Sequence, residues 1–184
     1  IAVNLPGETI KEIIVVDDGS HDSTKEEVAK IIEQYAEVNI QYRAHERNQG
    51  KGMAIRTGIQ YATGEYIVIQ DADMEYDPED YCKLLPLLTS GKHDVVYGSR
   101  FLNKNNAHSY QIFYWGGRLV SFVTNILYGQ TLTDEPTCYK MFKASLLKSM
   151  TLNCTGFEFC PEVTAKTAKL GYKIKEVPIN YYPR

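Results

Sequence analysis

The sequence lacks the marks of several large protein classes. It has no apolar run near the roughly 18 residues that a membrane span requires, and no signal peptide is visible at its start. The net charge of −3 gives no overall basic field, so we expect no nucleic-acid partner. The 4 cysteines form no C-x-x-C pair and no cluster with histidines, so we expect reduced thiols in a cytosolic protein rather than disulfides or a zinc site (Cys82, Cys138, Cys154 and Cys160).

Two nucleotide-binding signatures are also absent. There is no G-x-G-x-x-G after a predicted strand and no G-x-x-x-x-G-K-[ST], which argues against a dinucleotide-dependent oxidoreductase and a P-loop protein. Without internal repeats, low-complexity tracts or Pro/Ser-rich linkers, the 184 residues predict one domain. Ile1 is not an initiator methionine, and the first residues look like the tail of a helix entering a loop, so we expect a fragment of a longer chain.

Short apolar runs alternate with helical segments along most of the chain. The run EIIVV is β-branched and continuously apolar, as expected for a parallel strand covered on both faces, and further strands are predicted at NIQYR, YIVIQ, DVVYGS, TCYKMF and KIKEVPINYY. The first predicted helix runs from a Ser23-x-x-Glu26 capping box to about Ala36, and the second covers GKGMAIRTGIQYA with Gly64 as its C-cap. A third begins at Pro78 with Asp77 as its N-cap. Two more are predicted over Gln111–Tyr128 and over CPEVTAKTAKLG. This alternation predicts a doubly wound α/β sheet, in which ligands bind beyond the carboxyl ends of the strands.

Six acidic residues fall within the ten positions that follow the YIVIQ strand. Asp77, Glu79 and Asp80 lie at a predicted helix start, where the helix dipole favours negative charge. Asp71 and Asp73 stand at the mouth of the strand and project to the same side, where two carboxylates about 5 Å apart repel by about 3 kcal/mol at an effective dielectric constant near 20. A divalent cation removes this repulsion, and hard oxygen ligands suit Mg²⁺ or Mn²⁺ held together with substrate phosphates. The alternative is a solvated acidic loop.

A second acidic pair, Asp17 and Asp18, ends the first predicted strand in VVDDGSHDST. Carboxylates at this position can hydrogen-bond the ribose and base of a nucleotide. A strand-to-helix turn stabilised by Asx capping explains the pair equally well.

Together these segments resemble family 2 glycosyltransferases of the GT-A fold, and within them the polyprenyl- or dolichyl-phosphate hexosyltransferases. The matching segments are EIIVVDDGSHDST, RNQGKGMAIRTGIQYATGEYIVIQDADMEYDPED, DVVYGSRF, TDEPTCYKMF and GYKIKEVPINYYPR. The resemblance implies a Rossmann-like, nucleotide-sugar-binding α/β domain over 1–184, with a mixed, mostly parallel sheet flanked by helices. Family members begin with a central strand that would precede Ile1, so we expect this domain to lack its first strand and helix and its C-terminal tail.

The resemblance also implies roles for individual residues. Asp18 would contact the donor nucleoside while Asp17 holds the turn. Asp71 and Asp73 would hold the metal against the donor pyrophosphate. Glu75, predicted from its chemistry to reach the same ion or its water, stands where the mannose synthases tend to carry Gln. The implied catalytic residues are Asp73, Arg100 and Arg118, and the implied donor-binding residues are Asp17, Asp18, Lys51, Asp71 and Arg184.

The implied reaction is metal-dependent, inverting transfer of a hexose from a UDP-glucose- or GDP-mannose-like donor to a polyprenyl or dolichyl phosphate. It would take place at the cytoplasmic face of the membrane, where the protein would be peripheral. The alternatives are transfer to a saccharide hydroxyl with Glu158 or Glu162 as general base, a phospho-receiver signalling domain, and a non-catalytic remnant. The donor base and sugar stay open, as does the formation of a homodimer.

Two structural expectations accompany these roles. Lys140 is predicted to be the ion-pair partner of Asp134 rather than a ligand-binding residue. The aromatic residues of the long helix are predicted to lie in the core, with a lipid-facing surface as the alternative (Phe113, Tyr114, Trp115 and Phe122).

Overall fold

Strands and helices alternate along the chain in the computed structural model, which describes residues 3, 5–6, 9–107 and 111–183 (the backbone alone for 111–113). Their order is β1 (Glu12–Asp17), α1 (Thr24–Gln34), β2 (Asn39–Ala44), α2 (Lys51–Tyr61), β3 (Tyr66–Val68), a 3-10 turn (Pro78–Asp80), α3 (Tyr81–Thr89), β4 (Val95–Ser99), α4 (Gln111–Tyr128), β5 (Lys140–Lys143), α5 (Ala144–Ser149), α6 (Phe159–Lys169) and β6 (Lys175–Pro178). The predicted α/β class is confirmed.

The strands form two hydrogen-bonded sheets. Strands β1 and β2 are parallel, and the second sheet has the order β3-β5-β4-β6. Strand β5 is antiparallel to both of its neighbours, whereas β6 is parallel to β4. The expected mixed sheet is therefore present. No strand pairing joins the two sheets in the part of the chain that the structure describes, and the extra first strand stays a prediction.

The core lies on both faces of β4, whose five residues are all buried. Alternate side chains point to opposite faces of a strand, so Val95 and Tyr97 belong to one apolar cluster and Val96 to the other. The first cluster packs under α5 and α6 and includes Phe142, and the second packs under α3 and includes Leu84. Burying each large side chain contributes about 1.5–3 kcal/mol, so these clusters fix the strand edge on which the candidate site stands.

Two of the predicted helix ends differ from the structure. Helix α1 begins after Ser23 as predicted, but the Ser23 side chain makes no capping bond, and Asp22 Oδ1 accepts the Thr24 N–H at 3.0 Å instead. Helix α2 ends at Tyr61, so Gly64 is not its C-cap. The local pattern identified both helices, but at the start of α1 the Asp22 carboxylate took the place of the Ser23 hydroxyl, and at the end of α2 the Ala62 N–H donates to the Gly58 carbonyl.

The predicted cap at Asp77 is confirmed. Its side chain accepts the N–H of Glu79 at 3.0 Å, and Pro78 occupies the first position of the 3-10 turn. This cap accounts for part of the acidic segment without a ligand. It does not involve Asp71, Asp73 or Glu75, whose contacts are described with the candidate site.

One side of α4 is apolar and exposed, contrary to the expectation that its aromatic residues lie in the core. Trp115 and Phe122 are 67% and 61% exposed, and Leu119 and Ile126, spaced three or four residues from one of them, are exposed too. We call this surface the α4 apolar face (Trp115, Leu119, Phe122, Ile126 and Leu127). Tyr114 is half-buried against Phe101, and the Phe113 side chain lies outside the described residues. Within the described chain, no helix combines the length and hydropathy needed to cross a membrane.

Candidate functional site

The candidate site lies at one edge of the sheets, where β1, β3 and β4 end. Strand β5 runs in the opposite direction to β3 and β4, so the residue pair before it, Cys138 and Tyr139, lies at this same edge. The backbone N–H of Gly98 donates to Tyr139 at 2.8 Å, which holds the end of β4 against the start of β5. The topology thus places the segments of Asp71 and Arg100 along one rim, and the contacts of Asp18 with Gly50 and of Lys51 with Asp71 bring the end of β1 to it.

Asp17 stabilises the turn after β1. Its Oδ1 accepts the N–H of Ser20 at 2.8 Å, and its Oδ2 accepts the hydroxyl of Tyr42 at 2.5 Å. These bonds, led by that of Tyr42, hold the pKa of Asp17 below its usual range. The structure therefore shows Asp17 holding the turn, while a contact between Asp17 and a donor stays a prediction.

Asp18 ties the end of β1 to the loop before α2. Its Oδ1 accepts the N–H of Gln49 at 2.9 Å and faces Nδ1 of His45 at 2.6 Å, and its Oδ2 accepts the N–H of Gly50 at 2.7 Å. Burial favours a higher pKa for Asp18, but the hydrogen bonds from His45 and the two backbone groups outweigh it and lower the pKa. The carboxylate is therefore ionised and fixed in place. Its contact with a nucleoside stays a prediction.

The loop before α2 passes directly along the backbone of residues 155–156. Gly50 has a φ of 97°, in the region that favours glycine, and a Cβ placed there would collide with the Thr155 carbonyl. The close approach positions the first turn of α2, and with it Lys51, against the rim.

Lys51 connects α2 to the ends of β3 and β5. Its Nζ donates to Asp71 Oδ2 at 2.7 Å and to Cys138 Sγ at 3.0 Å, and it lies 5.6 Å from the ring centroid of Phe157. Burial opposes the positive charge of Lys51, but the contacts with Cys138 and Asp71 prevail and raise its pKa. A fixed positive charge therefore stands beside the first carboxylate of the D-x-D segment.

The D-x-D turn carries the candidate metal ligands. Asp73 Oδ1 accepts the N–H of Glu75 at 3.1 Å, and Met74 between them adopts a positive φ of 60°, which is uncommon for a side chain of this size. Among the described residues, no three His, Cys, Asp or Glu side chains stand close enough together to hold a metal. The assignment of Asp71, Asp73 and Glu75 as ligands stays a prediction.

The donor set at this turn nevertheless fits a hard divalent cation. Mg²⁺ is commonly bound through one or two carboxylates plus substrate phosphates, so a complete protein cage is not required. The ammonium group of Lys51 lies 2.7 Å from Asp71 Oδ2, so a metal ion would compete with it for that oxygen or bind the other carboxylate oxygens of the turn. Asp71 and Asp73 are the residues that would hold the ion.

Arg100 is held at the end of β4 by a buried carboxylate. Asp134 is fully buried and accepts from Arg100 Nε at 2.8 Å, from Nη2 at 2.7 Å and from the backbone N–H at 2.9 Å. Burial opposes the charge of Arg100, but the bonds to Asp134 outweigh it and raise the pKa. The predicted pairing of Lys140 with Asp134 is wrong, because Arg100 takes that position and Lys140 donates to the Glu135 carbonyl at 2.7 Å.

Arg118 lies close to Arg100, although it comes from α4. Both guanidinium groups lie over the ring of Phe101, at 5.8 Å for Arg100 and 5.7 Å for Arg118. Arg118 Nη1 also donates to the Thr133 carbonyl at 3.3 Å. The structure thus brings the two predicted phosphate-binding arginines together, while Arg184 lies outside the described residues.

A tyrosine cluster connects the D-x-D turn to Arg100. Tyr76 stacks on Tyr139 at 5.1 Å and forms an isolated antiparallel bridge with Tyr181. The Tyr181 hydroxyl donates to Glu75 Oε2 at 3.2 Å, and Arg100 lies 5.3 Å from the Tyr181 ring centroid. The segment after β6 therefore covers the side of the site between Glu75 and Arg100.

The two candidate general bases are engaged by backbone groups of the loop before α6. Glu158 Oε1 accepts the N–H of Gly156 at 2.8 Å and of Thr155 at 2.6 Å, and these bonds lower the pKa of Glu158. Burial would raise the pKa of Glu162, but bonds from Lys166 and the backbone lower it to about 2. A general base works best with a pKa near the operating pH, so both residues are poorly suited to that role.

Comparison with known proteins identifies the family. The model of glycosyl transferase family 2 matches residues 3–151, well over half of the 184 residues. The chain belongs to glycosyl transferase family 2. This membership removes the phospho-receiver alternative.

Similar proteins agree with this membership. Glycosyltransferase AglJ from Haloferax volcanii is 30% identical over 178 residues, covering 96% of this chain and 56% of AglJ. The mannosyltransferase PcManGT from Pyrobaculum calidifontis, solved with GDP-Man and Mn²⁺, matches with a TM-score of 0.64 at 22% identity, covering 91% of this chain and 45% of that one. Glucosyl-3-phosphoglycerate synthase from Mycobacterium tuberculosis, solved with Mn²⁺, UDP and phosphoglyceric acid, matches with a TM-score of 0.70 at 19% identity, covering 94% and 60%.

The similarity to the two solved structures establishes the fold but does not identify the substrates of this chain. At 22% and 19% identity the two structures show the GT-A fold, as expected. The chain spans about half of the length of these proteins, at 56%, 45% and 60%. The substrates named for them are therefore properties of those proteins.

Sequence reasoning missed two elements of the site. His45, only 8% exposed in its side chain, bridges Asp18 and Thr57, with Nε2 at 2.9 Å from Thr57 Oγ1. A histidine directly after β2 could have been found from the strand-edge rule, because β2 lies beside β1. The tyrosine cluster has no comparable signal, since Tyr76 and Tyr181 are far apart in sequence.

Proposed function

We propose that this glycosyltransferase-family chain transfers a hexose from a nucleoside diphosphate sugar to a polyprenyl or dolichyl phosphate, with Mg²⁺ or Mn²⁺ and with inversion. The observation that carries the proposal is the arrangement along one rim of two arginines, one lysine and the D-x-D carboxylates (Arg100, Arg118, Lys51, Asp71 and Asp73). The carboxylates suit the metal ion of a metal–diphosphate complex, and the arginine and lysine side chains suit the phosphate oxygens of donor and acceptor.

The state of the two candidate bases, Glu158 and Glu162, favours a phosphate acceptor. A phosphate monoester has a second pKa near 6, so it is largely ionised at neutral pH and needs no proton removed before it attacks. A sugar hydroxyl does need a base, and the lowered pKa values of Glu158 and Glu162 weaken the saccharide-acceptor alternative. When bound, Mg²⁺ or Mn²⁺ would neutralise charge that develops on the leaving diphosphate. Arg100 and Arg118 would orient phosphate groups and stabilise their charge.

Transfer to a lipid acceptor tests the proposal. With a radiolabelled UDP-glucose or GDP-mannose donor and Mn²⁺, we expect label to enter a short-chain polyprenyl phosphate in an amount that depends on the metal. An oligosaccharide acceptor serves as the control and should stay unlabelled. Label in the oligosaccharide alone would support the saccharide-acceptor alternative, and nucleotide binding without any transfer would indicate a binding-only domain.

We further propose that the α4 apolar face lies on the cytoplasmic face of a membrane and makes the protein peripheral. Supporting this, the face carries five large exposed apolar side chains and adjoins Arg118, one of the candidate phosphate-binding residues. A lipid acceptor would bring its phosphate to the rim while its chain stays in the bilayer.

Binding to lipid vesicles checks this assignment. We expect a Trp115→Ser, Phe122→Ser double variant to bind phosphatidylglycerol-containing vesicles at least about tenfold more weakly, because each buried apolar side chain is worth about 1.5–3 kcal/mol. Leu170→Ser is a matched control, because Leu170 is 54% exposed at the C-cap of α6, outside the α4 apolar face. Equal binding of wild type and double variant would contradict the assignment, and loss of self-association instead would assign the face to a homodimer.

A further inference from the structure

Two cysteines that are far apart in sequence meet at a cavity beside Lys51. The cavity has a volume of about 260 Å³ and lies between α4, α6 and the segment before β5, and Cys138 and Cys160 both form part of its wall. Cys160 Sγ donates to the Thr137 carbonyl at 3.5 Å, directly before Cys138 in the chain. The two thiol groups are also hydrogen-bonded to each other. The fold therefore holds an adjacent pair of free thiols.

A fixed positive charge adjoins this pair. Lys51 Nζ donates to Cys138 Sγ at 3.0 Å and to Asp71 Oδ2 at 2.7 Å. The hydrogen bond from Cys138 lowers the pKa of Cys160 to about 7, although burial opposes this, and the ammonium groups of Lys140 and Lys51 act in the same direction as the bond. The same bond raises the pKa of Cys138, so the pair as a unit loses one proton near neutral pH. The thiolate is the reactive form of a cysteine, and this pair supplies one.

Cys154 shows what burial alone does to a thiol in this protein. It is 3% exposed and does not line the cavity, and burial raises its pKa to about 12. A thiol in that state is inert. Cys138 is half-buried and Cys160 keeps 8% exposure, and the cavity that both residues line gives a small oxidant access to them. The pair therefore differs from an ordinary buried cysteine in its charge, its access and its partner.

We propose that Cys138 and Cys160 are an oxidation site at which hydrogen peroxide forms a disulfide, and that this disulfide weakens metal–diphosphate binding at the D-x-D turn. In the first step a thiolate attacks one peroxide oxygen, the O–O bond breaks, and the sulfur becomes a sulfenic acid while the departing hydroxide takes up a proton to form water. The second thiol then attacks that sulfur, so that the S–S bond forms, the S–O bond breaks, and the oxygen leaves with the thiol proton as a second water. The two sulfurs are oxidised and the peroxide is reduced to water.

Oxidation changes the partners of Lys51. In the reduced pair, Lys51 Nζ is shared between Cys138 Sγ and Asp71 Oδ2, whereas a sulfur in a disulfide carries no negative charge. The ammonium group then binds Asp71 more tightly, and a metal ion competes less well for that carboxylate. This consequence rests on the proposed function, while the formation of the disulfide is independent of it.

Mass spectrometry of the whole chain tests the covalent step. After treatment with hydrogen peroxide we expect a mass lower by about 2 Da, with both hydrogens restored by dithiothreitol. Cleavage at lysine, arginine and glutamate residues separates Cys160 from Cys154, because Glu158 lies between them, and should give fragments linked through Cys138 and Cys160. Cys82→Ser is the matched control, because Cys82 lies on α3 and does not line the cavity, and it should form the same link. Cys160→Ala and Cys138→Ser should not form it.

Isothermal titration calorimetry measures the effect on binding. For UDP or GDP, whichever the reduced wild type binds more tightly with Mn²⁺, we expect peroxide treatment to raise the Kd about fivefold, as for one lost hydrogen bond. Cys160→Ala leaves Cys138 beside Lys51 but cannot form the link, so peroxide should change its Kd by less than about twofold. Cys138→Ser, compared before and after peroxide, is the second variant and should respond as little.

The outcomes are distinguishable. A peroxide-treated wild type that keeps its mass, or that links other cysteines, would overturn this inference. A disulfide between Cys138 and Cys160 that leaves the Kd unchanged would overturn it too, as would an equal effect of peroxide on Cys160→Ala. A reduced wild type that binds neither nucleotide would contradict the proposed function and with it the effect on binding, while the mass of the treated chain would still decide whether the disulfide forms.

Discussion

Asp73→Asn is expected to lower the rate of hexose transfer at least about 100-fold, because it removes charge from the turn that would hold a metal–diphosphate. Asp73 stands two residues from Asp71, and its Oδ1 accepts the Glu75 N–H at 3.1 Å. Asparagine keeps an oxygen for this bond, so the variant changes the charge while preserving the turn. Asp73→Ala should lose as much activity and additionally about 1 kcal/mol of stability with the lost hydrogen bond.

The controls for Asp73 separate a site effect from a general effect of acid removal. Glu79 belongs to the same acidic segment but lies exposed in the 3-10 turn, so Glu79→Gln should transfer hexose at the wild-type rate. Initial rates with the polyprenyl-phosphate acceptor, measured over a range of Mn²⁺ concentrations, give the comparison. Near wild-type transfer by Asp73→Asn would show that the metal has been assigned to the wrong residues.

The strands and most helices could be predicted because their signals are local. The apolar run of β1 and the Asp77-Pro78 helix start are both encoded within a few residues, and the strand-edge rule then directs attention to Asp18 and Asp71. The rule works because the carboxyl ends of parallel strands share an edge whatever lies between them in sequence.

The partners of charged groups could not be predicted in the same way. Sequence proximity suggested Lys140 for Asp134, but the fold brings Arg100, 34 residues away, to that carboxylate. The exposure of Trp115 was missed for a related reason, since an apolar stripe at helical spacing is equally compatible with a core and with an outer surface.

Asp134→Ala is expected to lower the free energy of unfolding by about 3 kcal/mol, toward the lower end of the range for breaking a buried ion pair. The carboxylate accepts three bonds from Arg100, at 2.7–2.9 Å, and its loss leaves a largely buried guanidinium without its counter-charge. The Arg100 side chain keeps 20% exposure, so water compensates for part of the loss. Urea unfolding followed by circular dichroism measures the difference.

A surface pair of the same length shows why burial decides this effect. Glu27 and Lys30 form an ion pair at 2.6 Å, close to the 2.7 Å of Arg100 and Asp134, but their side chains are 61% and 69% exposed. Exposed pairs contribute about 0–1 kcal/mol, so Glu27→Ala should cost much less than Asp134→Ala. An Arg100→Leu, Asp134→Leu double variant should also be more stable than Asp134→Ala, because it leaves no unpaired charge. Equal losses for Asp134→Ala and Glu27→Ala would show that the buried pair does not hold Arg100 at the rim, and the role of Arg100 in binding phosphate would lose its structural basis.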